Sequence, residues 1–261
     1  MHSIEIFQID AFTDKMFHGN PAAICLLTDW LNDELLKAIA VENNLSETAF
    51  VIENKDGFHI RWFTLKGEIN LCGHSTLAAG FLLFELGRCR GDAVSFTSLS
   101  GALTVRKKGD RLIMSFPKMT VTPIPDPELF SGIIDKSPRG VFESDLDYLV
   151  LLENEHQVRQ AHVELRLLEK LPKRGLILTA QGTDADFYSR CFYPKYRIPE
   201  DPVTGTAYCV LAPFWSERLN KSVLHAVQGS FRQGDVFCEL GDNSVHISGY
   251  CKWYSKGRLV I

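Results

Sequence analysis

The 261 residues contain no Cys-x-x-Cys pair, no run of more than three basic residues and no apolar stretch long enough to span a bilayer. Each absence removes a class of function. The seven cysteines, at 25, 72, 89, 191, 209, 238 and 251, are odd in number, and several lie inside apolar runs where a thiol packs as a small hydrophobe. They are expected to be reduced. With 28 basic and 32 acidic residues spread along the chain and a net charge of −4, there is no stripe to follow a phosphate backbone and no patch for an anionic membrane. Nucleic acid and membrane are therefore excluded as expected partners. The longest apolar runs, such as Leu77 to Phe84, are far shorter than a bilayer span. The opening MHSIEIFQIDAF carries an acid at Glu5 and alternates apolar with polar residues, so it reads as a strand rather than an export signal. A cytoplasmic location is the resulting expectation.

What is present is a globular composition, 45% hydrophobic and 23% charged, with strand and helix patterns in alternation. Period-two segments at 4–12, 22–27, 48–53 and 58–64, and again in AVSFTS, GALTVRKK and RLIMSFP, predict strands. Helical spacing over 29–44 places Leu31, Leu35, Leu36 and Ile39 on one face. A second helix, predicted over 75–86, is apolar nearly all round and should be enclosed. Prolines 123, 125 and 127 mark an extended connector, with a boundary near 118–124. Beyond it the pattern resumes, with another largely apolar helix predicted over 204–219.

The second half repeats the first. IRWFTLKGEIN precedes LCGHSTLAAGFLLFEL, and SRCFYPKYRIPE precedes DPVTGTAYCVLAPFWSERL, so that Cys72, Gly73, His74 and Ser75 stand opposite Thr204, Gly205, Thr206 and Ala207. Both helix starts carry glycine and hydroxyl residues suited to capping, and both offer unpaired amides at the positive end of a helix dipole. Two such starts facing one another would hold a carboxylate. Simple capping of two buried helices is the plainer alternative.

Four segments then carry a resemblance. FHGNPAAICLL, AVENNLSETAFV, IRWFTLKGEINLCGHSTLAA and IPEDPVTGTAYCVLAPFW, with a weaker QGSFRQGD at 228–235, resemble the signature blocks of the PhzF-like isomerases of phenazine biosynthesis. Their fold is that of diaminopimelate epimerase and proline racemase. The resemblance implies an α/β (α+β) chain of two pseudo-symmetric halves, each a curled mixed or antiparallel sheet around one central helix. The halves would be residues 1–118 and 124–261, the last residues being able to return to the first half, with the active site in the cleft between them. It further implies an isomerase that needs no cofactor and no metal, acts on a small carboxylate, and forms a homodimer.

The resemblance also assigns roles. In the epimerase relatives two cysteines face the substrate carbon. Here Cys72 matches the first, but Thr204 stands in place of the second, and a hydroxyl is far too weak a base to act unaided. The PhzF-like branch uses a glutamate instead, which the SETAF block supplies as Glu47, and removal from water by Phe50 and the central helix is expected to raise its pKa towards neutrality. Glu47, His74 and Asp201 are the expected catalytic residues. His74, with an ordinary pKa of about 6.5, could serve in either protonation state. Asn20, Gly73, Ser75, Gly205 and Thr206 are the expected substrate-binding residues, Thr206 standing where relatives often have serine. Without the block match Glu47 would read as an ordinary acid at a strand start, and Asn20 before Pro21 as a turn former. The expected function is a proton shift within a carboxylated substrate by a single glutamate. Alternatives are an epimerase dependent on Cys72 and a protein-binding member of the family that has lost the reaction.

Overall fold

The computed structural model describes residues 3–55 and 57–261, with Pro127 described by its backbone alone; the expected strand's first two positions, Met1 and His2, lie outside this range. The chain divides into two compact units, Met1–Ser115 with Ser248–Ile261, and Phe116–Ile247.

In the first unit, β1 (Ser3–Ala11) lies antiparallel to β2 (Asn20–Leu27), and β2 runs parallel to β3 (Thr48–Asn54) after a crossover through α1 (Asp33–Asn43). β3 turns back into β4 (Gly57–Phe63), which pairs antiparallel with the two-residue β5 (Glu68–Ile69). A second crossover, α2 (Gly73–Glu85), brings β6 (Ala93–Ser98) parallel to β4, and β7 (Gly101–Lys108) and β8 (Arg111–Pro117) follow as antiparallel neighbours.

The second unit repeats this order. After the short β9 (Thr122–Pro123), β10 (Gly140–Glu143) lies antiparallel to β11 (Asp147–Leu151). Two short helices, α3 (Glu155–Gln160) and α4 (Leu165–Leu168), cross over to β12 (Gly175–Gln181), parallel to β11. Antiparallel β13 (Phe187–Tyr193) and β14 (Ile198–Asp201) come next, then α5 (Tyr208–Leu219), then β15 (Val223–Gln228), parallel to β13, and antiparallel β16 (Gly234–Leu240). β17 (Ser244–Gly249) leads into β18 (Cys251–Val260), which returns to the first unit as the antiparallel partner of β1. A parallel neighbour requires a crossover connection, and in both units the parallel pairs fall at the same two places in the order.

Local chemistry sets the helix limits. α1 starts after Asn32, whose side chain accepts from the Leu35 amide at 2.8 Å, and ends at Asn44 in the left-handed region with φ 50°. It is therefore shorter than the predicted 29–44. α2 begins at Gly73, two residues before the predicted start, and buries Gly73 to Gly80 without a break. It packs on β1, β2, β3, β6, β7 and β18, which explains its lack of a polar face. The predicted 204–219 helix enters through a 3-10 turn, Gly205–Ala207, and continues without interruption as α5. Pro213 lies inside α5 and cannot donate to the carbonyl four residues back. That carbonyl, of Cys209, instead accepts from the Met119 amide at 2.9 Å.

The Met119 bond also ties the connector to the second unit, as does the Lys118 amide on Asn243 oxygen at 3.2 Å. The division accordingly falls at Ser115/Phe116, ahead of the predicted 118–124. Among the described residues no helix is long and apolar enough to cross a membrane, and all seven cysteines are thiols.

α2 and β7 touch at Gly80, where an added Cβ would lie 2.7 Å from Val105 Cγ1. Gly80→Val is expected to lower the unfolding free energy by about 2–3 kcal/mol through overpacking, measured by urea denaturation. An unchanged midpoint would mean that the helix does not press on this strand.

Candidate functional site

Asn20 opens β2, Glu47 directly precedes β3, and the parallel register of these strands, Ala23 beside Thr48, brings both residues to one edge of the sheet. α2 starts at that edge and adds Cys72 as its N-cap residue and His74 in its first turn. Glu47, Cys72, His74, Asn20 and Ser75 are all buried, Glu47 at 8% exposure.

The imidazole of His74 is the hub. Its Nδ1 lies 3.3 Å from Asn20 Nδ2 and 3.5 Å from Cys72 Sγ, and its Nε2 lies 3.2 Å from Ser75 Oγ and 3.4 Å from Glu47 Oε2. An amide nitrogen can only donate, so Nδ1 is the acceptor and the ring proton sits on Nε2. That proton is placed for Ser75 Oγ, and Glu47 Oε2 lies on the same side of the ring at contact distance. Burial lowers the imidazole pKa to about 3. The Glu47 contact is therefore one between a neutral ring and a carboxyl group, not an ion pair, and His74 does not alternate between charge states near neutrality as the sequence reading allowed.

Glu47, Cys72 and His74 each offer a donor atom within 4.8 Å of the others, and carboxylate, thiolate and imidazole are a zinc-type set. The thiol, however, faces Nδ1 while the carboxyl faces Nε2.

In the second unit Asp201 closes β14, and Thr204 lies three residues on at the helix entrance. Thr204 Oγ1 donates to Asp201 Oδ2 at 2.5 Å, and the Thr204 amide donates to Gln228 Oε1 at 3.1 Å. Gln228 Nε2 in turn donates to Asp201 O at 3.1 Å and Thr204 Oγ1 at 3.2 Å. Thr206 Oγ1 accepts from Arg174 Nη2 at 3.3 Å, and Arg174 forks onto buried Asp147 at 3.0 and 2.5 Å. Gln228, Arg174 and Asp147 were not singled out by sequence. No local signal marks Arg174, which lies directly before β12.

Neither helix start is capped by a side chain: Cys72 and Thr204 make no cap bond. This corrects the expectation that nearby hydroxyls serve as caps. Thr76 Oγ1 bonds the Cys72 carbonyl at 2.5 Å, and the Thr204 hydroxyl is committed to Asp201. The first-turn amides of Gly73, His74 and Ser75, and of Gly205 and Thr206, thus have no helical acceptor and no side-chain cap.

The strand registers show how far the repeat extends. Trp62 pairs with Ile69 and Cys191 with Asp201, so Ile69 corresponds to Asp201, and Cys72 to Thr204 three residues later. In each unit a bidentate arginine clamps the residue before: Arg61 on Glu68 at 2.7 and 2.6 Å, Arg190 on Glu200 at 3.1 and 2.8 Å. Thr48 pairs with Phe63 and Leu176 with Phe192, which makes Gly175 the counterpart of Glu47. A Cβ at Gly175 would lie 2.3 Å from the Tyr193 ring, so no acid fits there. The duplicated frame carries a carboxylate at this position in the first unit alone.

Known proteins resemble this chain along its whole length. The family model for phenazine biosynthesis-like protein matches residues 9–251. A Pseudomonas aeruginosa protein named an uncharacterized isomerase is 43% identical over 98% of each chain. The crystal structure of a PhzF family phenazine biosynthesis protein from Enterococcus faecalis covers both chains in full, with a TM-score of 0.95 and 38% identity. A hydroxyproline epimerase from Agrobacterium vitis, crystallised with trans-4-hydroxy-L-proline, shares the fold at 10% identity, with a TM-score of 0.63 over 98% of this chain and 92% of that one.

The burial of His74 has a consequence for stability. The unfolded chain binds a proton here below about 6.5, whereas the folded chain binds one only near 3. Stability contributed by His74 is therefore present above about pH 6.5 and is lost as pH falls towards 3, at no more than about 1.4 kcal/mol per pH unit. Urea unfolding at about pH 7 and about pH 4.5 should show a larger loss in the wild type than in His74→Gln. Equal losses would place the histidine in water.

Proposed function

The chain belongs to the phenazine biosynthesis-like protein family and is an isomerase; on that footing we propose that it moves a proton within a small carboxylated substrate, with Glu47 as the single carrier. The observation that carries this reading is the burial of Glu47 against the ring of a neutral histidine, 3.4 Å from Nε2, at a position whose counterpart in the repeat is glycine.

A single base removes a proton from one carbon and, if it returns that proton to a neighbouring atom, delivers it from the same face. The result is a shift along the substrate rather than an inversion. A carboxyl group can accept and return a proton only if the two forms are close in free energy, and seclusion from water brings them closer. The His74 ring lies against the Glu47 carboxyl, Nε2 to Oε2 at 3.4 Å, and is itself held by Asn20 at Nδ1 and Ser75 at Nε2, so that a neutral ring packs beside the base without competing for the proton. The same contact would stabilise the carboxylate in the substrate-bound state before proton transfer. In each unit taken by itself, first-turn amides are donors suited to a carboxylate: Gly73 and His74 in the first, Gly205 and Thr206 in the second. Asp201, taking the Thr204 hydroxyl proton, fixes the turn that presents the latter pair.

Inversion by two thiols is disfavoured by Thr204, which occupies the second position and gives its hydroxyl to Asp201. Incubation of a panel of small unsaturated and hydroxylated carboxylates in deuterated water, followed by mass spectrometry, separates the two chemistries. Label incorporation should fall by about 10²–10⁴-fold in Glu47→Gln and by less than about tenfold in Cys72→Ser. Incorporation that survives Glu47→Gln but not Cys72→Ser would assign the reaction to the thiol.

A further inference from the structure

Arg174 precedes β12 and lies outside every segment that carries the family resemblance. Its guanidinium is fixed on several sides. Nε and Nη2 fork onto Asp147, which is 2% exposed, and the Tyr193 ring lies under the charge with its centroid 4.9 Å from Cζ. The Arg174 amide bonds Leu146 oxygen at 2.8 Å. What this rigid group does with its remaining capacity is to donate from Nη2 to Thr206 Oγ1 at 3.3 Å.

A threonine hydroxyl has one proton to give and two lone pairs to fill. Arginine remains charged and can only donate. The bond from Arg174 therefore fills a lone pair of Thr206, leaves the hydroxyl proton for an incoming acceptor, and polarises the O–H bond so that it donates more strongly. Thr206 lies in the first turn of the 3-10 segment that continues into α5, beside the Gly205 amide.

We propose that Arg174, held by Asp147, is a positioning residue that locks the Thr206 hydroxyl as a donor to the substrate's carboxylate. The proposal rests on the reading of Gly205 and Thr206 as carboxylate receptors. It differs from a purely structural salt bridge in one respect: its effect on anion binding passes entirely through one hydroxyl.

A double-mutant cycle tests this, with sodium acetate as probe and the Gly205 and Thr206 amide resonances as readout. Lysine at 174 keeps the charge on Asp147 but has no second nitrogen for Thr206. Acetate Kd should rise about tenfold in Thr206→Val and about fivefold in Arg174→Lys, while the double variant should match Thr206→Val alone. Thr206→Ser should retain wild-type affinity. If Thr206→Val weakens acetate but Arg174→Lys does not, or if the two effects multiply, the role of Arg174 is overturned and the receptor stands. If Thr206→Val leaves acetate unaffected, the receptor itself is overturned and the role of Arg174 with it. Should Arg174→Lys fail to fold, Arg174→Gln combined with Asp147→Asn removes both charges and completes the same cycle.

Discussion

A histidine ring kept neutral by burial is the constraint on which the rest of this structure turns. His74 fills its Nδ1 lone pair from Asn20 and turns its Nε2 proton towards Glu47. If the ring were cationic, it would hold Glu47 as an ion pair and draw its pKa down, making the carboxylate a poor base. With a neutral ring the contact orients the carboxyl group without that charge. The helix start, the parallel strand pair and the surrounding apolar core all serve to keep water from this pair.

The duplicated frame gives that chemistry its asymmetry. Two units with the same order of parallel and antiparallel pairs present two helix starts, each without a side-chain cap, and each preceded by an arginine clamp on a glutamate. The clamp is a strong, geometrically demanding contact, and its repetition fixes the segment that enters each helix. The reactive positions then diverge: glutamate against glycine, cysteine against threonine, isoleucine against aspartate. The first unit holds the buried acid, Glu47, beside Cys72 and His74. The second has, at the corresponding place, a network of Asp201, Thr204 and Gln228 that holds a turn in place.

Much of this was legible in the sequence. The apolar helices and the repeat can be read because hydrophobic period and glycine position are local signals, whereas Glu47 and His74 were singled out through the resemblance of their sequence blocks. The exact starts of α2 and of the 204–219 helix were missed by one or two residues, since Cys72 and Thr204 act as N-cap residues without the side-chain bond that usually marks one. The hydroxyls that looked like caps were bonded elsewhere, a matter of side-chain direction that residue type does not encode. Arg174, Asp147 and Gln228 were invisible for a different reason. Each reaches the candidate site through pairing between strands distant in sequence, and a lone arginine or glutamine before or after a strand gives no local sign of its partner. The charge state of His74 also required the fold, because burial rather than any neighbouring residue in the chain sets it.

The central claim concerns the location of one proton, and nitrogen-15 NMR of the labelled His74 ring at neutral pH reads it directly. The account predicts a pyridine-like shift for Nδ1 and a pyrrole-like shift for Nε2, the pattern of a neutral ring protonated on the side of Glu47. Two pyrrole-like nitrogens, the pattern of an imidazolium, would contradict it, as would a neutral ring with its proton on Nδ1.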